Sequence, residues 1–315
     1  MIKIGFIGTG LMGLPMAINI LKAGYSLKAF NRSKDKADPL KNHGGEISNT
    51  IKEAVSDSDF IITMLTDDTA IDDVMSSPDF SESLKTGATV IDMSSVKPST
   101  ATKHGNNLKS KKINYLDAPV SGGTIGAEEA SLAIMVGGEQ DVFNKASEIL
   151  KTMGNPTLVG PIGSGQVSKL ANQIIVGLTI GAVAEAVTLC EKAGADPVKM
   201  ISALSGGWAD SKILQTHGKR MVDKDFSPKG KTATHLKDMN NILDCANNFN
   251  TYLPISNLQT SVVYSVHNDL NNKKESIRDL IFKHNNKYKI KNISEIEFFE
   301  LSSSNLRSYY YKNIL

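Results

Sequence analysis

The sequence predicts an α/β fold in two parts: an N-terminal doubly wound, mostly parallel sheet and an all-α C-terminal domain, joined by a long interdomain helix. Three observations carry this. Short β-rich runs alternate with helical stretches from residue 1 to about 160, the spacing of βαβ units. A glycine-punctuated turn follows the first run directly, and after Gly165 the β-rich runs give way to helical periodicity.

The expected strands are Lys3–Ile7, Ser26–Phe30, Phe60–Leu65, Thr89–Met93, Asn114–Val120 and Leu132–Gly137. The first helix is read from the spacing of Leu14, Ala17, Ile18 and Leu21. Residues 166–193 predict one long helix, and Pro197 to about Ile281 several more, with breaks at Gly206-Gly207, Ser227-Pro228 and Pro254. The domains that follow are 1–162, the connecting helix 163–193, a helical domain 194–282 and an atypical tail 283–315, rich in Lys, Asn and Tyr and without helical period. Ile174–Cys190 is nearly all apolar, but its 17 residues include Glu185 and run into Glu191 and Lys192. That predicts a helix buried between packed domains rather than a membrane span.

With 315 residues the chain is long enough for two substantial cores. Its 40% hydrophobic and 22% charged residues are ordinary for a soluble protein, and a net charge of +2 gives no reason to invoke nucleic acid. Cys190 and Cys245 sit in helical apolar patterns without metal-ligand spacing, which predicts reduced, buried thiols and no metal site. The first residues already read as a strand, leaving no room for a signal peptide and predicting a cytoplasmic protein.

The turn Gly8-Thr9-Gly10-Leu11-Met12-Gly13 is G-x-G-x-x-G between a strand and a helix, the fingerprint of a Rossmann dinucleotide-binding unit. Gly8 makes the tight turn, Gly10 lets backbone approach a pyrophosphate, and Gly13 lets the helix lie close on the strand. The second strand ends at Asn31-Arg32, where an acidic residue would address the ribose hydroxyls of NAD(H). A neutral amide followed by Arg32, Ser33 and Lys34 offers donors to a 2′-phosphate instead, so the sequence favours NADP(H), with NAD(H) the alternative.

Three further stretches carry chemistry. Lys169 opens the long helix after a glycine-rich loop, with Asn172 and Gln173 at i+3 and i+4 on the same face and Val176 and Ile180 beyond. A cation against apolar surroundings loses hydration, which suits it to exchanging a proton near neutral pH; the competing reading is an ordinary solvated lysine. Asp117 to Gly123 ends a strand with the free N–H groups of Ser121-Gly122-Gly123, either an anion nest for a carboxylate or a plain glycine turn. Ile91 to Pro98 also ends a strand in hydroxyls, including Ser94 and Ser95, for ligand binding or helix capping, and Leu65-Thr66 ends the strand before it. Lys237-Asp238 reads as an exposed ion pair, His235 as a core or surface histidine, and Trp208 as lining a pocket or simply packed.

These blocks, in this order, resemble the β-hydroxyacid dehydrogenase family over roughly residues 1–270. The family includes 3-hydroxyisobutyrate dehydrogenase, succinic semialdehyde and glyoxylate reductases and 2-hydroxy-3-oxopropionate (tartronate semialdehyde) reductase, and the stretches from Lys169 to Ile175 and from Ala193 to Trp208 look most like the last branch. The resemblance implies that Lys169 is the catalytic lysine and that Asn172 or Gln173 supports it. It implies a substrate-carboxylate loop at Ser121-Gly122-Gly123 and cofactor contacts from Leu65, Thr66, Ser95 and Lys237. It implies hydride transfer between a nicotinamide cofactor and a small aldehyde acid, and a homodimer or homotetramer that binds neither nucleic acid nor membrane. 6-Phosphogluconate dehydrogenase pairs its lysine with His-Asn, and Asn172-Gln173 lacks that imidazole. A non-catalytic NADP-binding regulator is the competing class; retention of Lys169 argues against it. Asn271–Ser276 stands where the family usually has a Gly-rich stretch with an Asp, and residues after 282 match nothing in it.

Overall fold

A computed structural model describes residues 2–225 and 232–269. The chain falls into two compact units, Met1–Lys169 and Leu170–Leu315.

In the first unit β1 (Lys3–Ile7), β2 (Ser26–Phe30), β3 (Glu46–Ile47), β4 (Phe60–Thr63), β5 (Thr89–Asp92) and β6 (Asn114–Asp117) are parallel, in the order β3-β2-β1-β4-β5-β6. The order reverses between β1 and β4, which opens a crevice at the strands' carboxyl ends. The sheet then turns mixed. Beyond β7 (Val120–Ser121), β8 (Leu132–Gly137) runs antiparallel to β6 and β7, and β9 (Gly154–Gly160) is parallel to β8. Helices α1 (Gly13–Lys22), α2 (Ile51–Val55), α3 (Asp68–Met75), α4 (Pro78–Ser81), α5 (Pro98–Ser110), α6 (Gly123–Glu128) and α7 (Gln140–Lys151) connect the strands. Neighbouring strand residues feed opposite cores, as the two-residue period requires. Phe6, Ile62, Ile91 and Leu116 pack with Met16 and Ile20 of α1; Ile7, Ile61, Val90 and Tyr115 pack with Ile71 and Phe80.

Several expectations are corrected. The strands expected at Phe60–Leu65 and Thr89–Met93 end at Thr63 and Asp92. The run Asn114–Val120 is two strands: the Ala118 N–H still reaches the Asp92 carbonyl, but Pro119 has no N–H to continue the ladder, and the chain turns to pair with β8. The short β3 and all of β9 went unpredicted. Pro156 disguises β9, yet it is tolerated there because among the described residues β9 pairs with β8 alone. The deepest face of α1 is Met16, Ala17 and Ile20, with Leu14, Ile18 and Leu21 only half-buried.

The long helix is α8 (Ser164–Lys192). In the second unit its stripe Ile180, Val183, Ala184 and Val187 forms a core with Ile201, Leu214 and Met221. Those come from α9 (Pro197–Leu204), a π-helical turn at Leu214–Gly218 and α10 (Lys219–Val222), followed by α11 (Thr232–Asn248) and α12 (Pro254–Asp269). Pro254 starts a helix, and Gly206 takes a positive φ of 77° just after α9. The break expected at Ser227-Pro228, the stretch Asn271–Ser276 and the tail 283–315 lie outside the described residues. α8 is not the fully buried helix expected. By length and composition alone it could cross a membrane, with a mean hydropathy of 1.8 over 18 residues, yet only 33% of that window is buried. Its apolar residues lie on every side, and the stripe of Ile180 and Val183 is covered while Ile175 and Leu189 are 65% and 70% exposed. Cys190 and Cys245 are likewise half-buried, not buried.

Gly154 shows how tightly β8 and β9 meet: a Cβ there would lie 2.0 Å from the Leu132 carbonyl oxygen. That atom belongs to a paired strand and cannot swing away. Gly154→Ala is therefore expected to destabilise the first unit by about 1–3 kcal/mol, read as a lower urea midpoint at unchanged slope; an unchanged midpoint would show that the strand pair yields freely.

Candidate active site

The fingerprint turn has the geometry that a dinucleotide needs. Gly8 adopts φ +99°, and a Cβ on Gly13 would lie 1.9 Å from the Gly8 carbonyl oxygen, so α1 crosses the strand end at a distance only glycine permits. A Cβ on Gly10 would meet nothing, which leaves that backbone open to a phosphate. Thr9 is buried with its Oγ1 unpartnered, and Leu11 is 85% exposed beside it, while Met12 packs on the core and offers only backbone. An orphaned hydroxyl beside open backbone at the start of a helix fits a bound nicotinamide dinucleotide.

Asn31, at the end of β2, has a role the sequence did not reveal. Its Oδ1 accepts the Thr9 N–H at 3.0 Å and its Nδ2 donates to the Ser33 carbonyl at 2.8 Å. The amide thus braces the fingerprint turn against the basic loop. Arg32 beside it is exposed.

The ends of β4, β5 and β6 are stitched together. The Leu65 N–H donates to Ser94 Oγ at 2.9 Å, so that N–H is committed inside the protein. Thr66 is exposed and its hydroxyl donates to Asp67, which caps α3. The hydroxyls after β5 do not cap α5: Asp68 takes the Lys97 N–H and the Thr100 hydroxyl there. Ser95, half-buried, lies between these contacts.

Two buried carboxylates, Asp92 and Asp117, are register partners at the ends of β5 and β6. Asp92 accepts from the Thr63 hydroxyl and the Ser94 N–H, with the Tyr115 hydroxyl at 3.5 Å. Burial pushes its carboxyl up to about 6 against the pull of those bonds, and the neighbouring Asp117 adds to the rise. Burial also raises Asp117, whose backbone hydrogen bonds oppose the shift. Nothing local in the sequence assigns either a role beyond its place in a strand; an acid closing an otherwise apolar parallel strand is the available signal.

Ser121, Gly122 and Gly123 follow on β7 and the start of α6. Gly122 and Gly123 have φ of 145° and 64°, and a Cβ on Gly123 would meet nothing. This loop is open backbone of the kind that can hold a carboxylate. The structure brings Lys169 to the same segment: its Nζ donates to the Val120 carbonyl at 2.7 Å.

The second unit holds its own polar chain. Asn172 Nδ2 donates to Gln173 Oε1 at 2.9 Å, and Gln173 Nε2 donates to Asp238 Oδ2 at 2.7 Å. Lys237 Nζ lies 3.4 Å from Asp238 Oδ1. This ion pair is not the exposed one expected, since Asp238 is buried. His235 lies against Gly177, where a Cβ would be 3.0 Å from Nε2. Burial lowers its pKa, with Asp238 opposing. Trp208 is fully exposed, so it is not packed in the core of its own chain.

Comparison with known proteins decides the family. Residues 3–167 match the model for the NAD-binding domain of 6-phosphogluconate dehydrogenase, and residues 163–279 match that for the NAD-binding domain of NADP-dependent 3-hydroxyisobutyrate dehydrogenase. The chain is 44% identical over 259 residues to 2-hydroxy-3-oxopropionate reductase of Escherichia coli (strain K12), covering 80% of this chain and 87% of that protein. The chain belongs to the β-hydroxyacid dehydrogenase family. A probable 3-hydroxyisobutyrate dehydrogenase-like protein of Arabidopsis thaliana is 35% identical over 75% of this chain and 80% of its own. Among solved structures, the dehydrogenase resembles a Mycobacterium tuberculosis 3-hydroxyisobutyrate dehydrogenase determined with L-serine, at TM-score 0.83 and 26% identity, covering 91% of this chain and 100% of that one. The chain is thus an NAD(P)-dependent oxidoreductase of hydroxyacids.

The buried Asp92 yields a pH prediction. Its native pKa of about 6 lies above the ordinary 3.8, so the native state holds the proton more tightly than the unfolded chain. Stability is then lost as pH rises from 4 through 6, by up to about 3 kcal/mol. Asp92→Asn can keep the Thr63 and Ser94 bonds without a charge. Its stability relative to the parent should rise between pH 4.5 and 7.5 in urea titrations; an equal difference at both pH values would show that Asp92 ionises without cost.

Proposed function

We propose that this dehydrogenase reduces a three-carbon aldehyde acid, 2-hydroxy-3-oxopropionate in the first instance, to its hydroxyacid with NADPH, Lys169 serving as general acid and, in reverse, as general base. The observation that carries the reading is the Lys169 amine at 2.7 Å from the Val120 carbonyl, immediately before the open Ser121-Gly122-Gly123 loop. On this reading a proton donor stands beside backbone that is open to a carboxylate. The 44% identity to the Escherichia coli reductase supports the substrate class.

When bound, the nicotinamide cofactor supplies the hydride. Gly8, Thr9, Gly10 and Gly13 hold the pyrophosphate, Asn31 keeps that turn and the Arg32 loop in register, and the Arg32 guanidinium meets a 2′-phosphate. Leu11, Met12, Leu65, Thr66, Ser95 and Lys237 complete the cofactor contacts through backbone or side chain. The backbone of Ser121, Gly122 and Gly123 fixes the substrate carboxylate, which presents one face of the carbonyl. Lys169 as ammonium gives its proton to the developing alkoxide oxygen. Of the two amides that follow it on α8, Gln173 has both ends committed, to Asn172 and to Asp238. Either Asn172 or Gln173 supports the lysine or the substrate oxygen, and the Asp238 bond on Gln173 favours Asn172. We further infer a cytoplasmic homodimer or homotetramer that binds neither nucleic acid nor membrane. The exposed Phe249, Tyr252, Ile255 and Leu258 of the second unit support a protein partner surface, and light scattering tests it.

NADPH consumption with 2-hydroxy-3-oxopropionate, methylmalonate semialdehyde, succinic semialdehyde and glyoxylate tests the substrate; preference for another of the four would replace the first. Lys169→Ala should lower kcat by about 10²–10⁴-fold and leave NADPH affinity nearly unchanged. Near-normal turnover in that folded variant would remove the lysine from the mechanism. Arg32→Ala should weaken NADPH more than NADH, since a charge-assisted bond is worth about 1.5–3 kcal/mol. Titration of both cofactors settles this, and equal losses would reject a 2′-phosphate contact.

A further inference from the structure

The first turn of α8 is held by two side chains that the mechanism above does not use. Asp117, buried at the end of β6, accepts the Gly163 N–H through Oδ1 at 2.7 Å and the Gln166 N–H through Oδ2 at 2.9 Å. Donors at a helix start have no partner within the helix, and a carboxylate there also meets the positive end of the helix dipole. Gln166 is fully buried. Its Oε1 accepts the Val96 N–H at 3.1 Å, and its Nε2 donates to the Ser94 carbonyl at 2.8 Å. Ser94 in turn receives the Leu65 N–H. One helical turn is thereby tied to the ends of β4, β5 and β6. There is no slack: a Cβ on Gly165 would lie 2.4 Å from the Met135 carbonyl oxygen, and one on Gly137 would lie 2.4 Å from Asp117 Oδ1.

We propose that Asp117 and Gln166 are positioning residues: together they set the height and rotation of the first turn of α8, so that Lys169 reaches the Val120–Gly123 segment in register with the Ser94-Ser95 strand end. The inference rests on the reading of Lys169 as the acid–base group. The chemistry of each side chain is specific to the task. Asp117 needs two acceptors, and an asparagine would face one N–H with its own NH2. Gln166 needs one acceptor and one donor; glutamate keeps the first and loses the second, and methionine keeps only the volume. A misplacement of about 1 Å at a reacting group costs about 10²-fold in rate, so loss of either clamp should act on kcat rather than on substrate KM.

The test uses the full chain with NADPH and the best aldehyde acid of the panel, comparing Gln166→Met, Asp117→Asn, Lys169→Ala and the double variant Gln166→Met with Lys169→Ala. Each single clamp variant is expected to lower kcat about 10–100-fold, with substrate KM changed less than about threefold. In the Lys169→Ala background, Gln166→Met should cost less than about twofold more, because a clamp that acts through the lysine has nothing left to position. Losses that multiply in the double variant would assign Gln166 a merely structural role and overturn the proposal. So would parental kcat in folded Gln166→Met and Asp117→Asn while Lys169→Ala is inactive. If Lys169→Ala itself turns over normally, the acid–base reading fails first and the proposal falls with it. Should the methionine variant not fold, Gln166→Glu carries the same comparison, with loss of kcat again the expected result.

Discussion

Two buried carboxylates at the carboxyl ends of neighbouring parallel strands, Asp92 and Asp117, constrain everything around the crevice of the first unit. Both are fully buried, so each carboxylate collects local donors in place of water. Asp92 gathers the Thr63 hydroxyl and the Ser94 N–H, which closes β4 onto β5. Asp117 gathers Gly163 and Gln166, which closes β6 onto the start of α8. Burial raises both carboxyls, Asp92 to about 6, and at both the hydrogen bonds they accept oppose the rise.

This arrangement makes one rigid frame of segments distant in sequence. The Leu65 turn, the Ser94–Val96 segment, the β6–β7 bend and the first turns of α8 share bonds across 29 to 72 positions. Open backbone at Gly10 and at Gly123 stands at the edge of that frame rather than within it. Rigid support beneath accessible backbone is what a site needs if it is to hold charged ligands without reorganising. The fingerprint turn follows the same logic, since Asn31 holds Thr9 from outside the turn while Gly8 and Gly13 close it from within.

The second unit is organised differently. Its cores are two: a stripe of α8 from Ile180 to Val187 packed on α9 and α10, and Leu170 packed on Met239 and Ile242 of α11; the polar chain runs from Asn172 through Gln173 to Asp238 and Lys237. Asp238 is the anchor of that chain: a buried carboxylate next to one lysine, it fixes the Gln173 amide in one orientation. Large apolar side chains nevertheless remain exposed in this unit, Trp208 most of all.

Local chemistry was legible in the sequence wherever function depends on a run of neighbouring residues. The glycine turn, the four blocks that mark the family, the strand–helix alternation and the position of α8 all follow from spacing and from the conformations glycine and proline allow. The sequence also singled out Lys169 and the Ser121–Gly123 loop as candidates, and the Lys169 amine donates to the carbonyl of Val120 beside that loop. Tertiary structure alone decided what depends on partners far along the chain. Pairing with β8 made a strand of the proline-bearing β9, burial turned Asp92, Asp117 and Asp238 from ordinary acids into anchors, and Asn31 gained the Thr9 N–H and the Ser33 carbonyl as partners. The physical reason is that a side chain's hydrogen-bond partner and its loss of water are set by which strand ends meet, and no local pattern in the chain records that meeting.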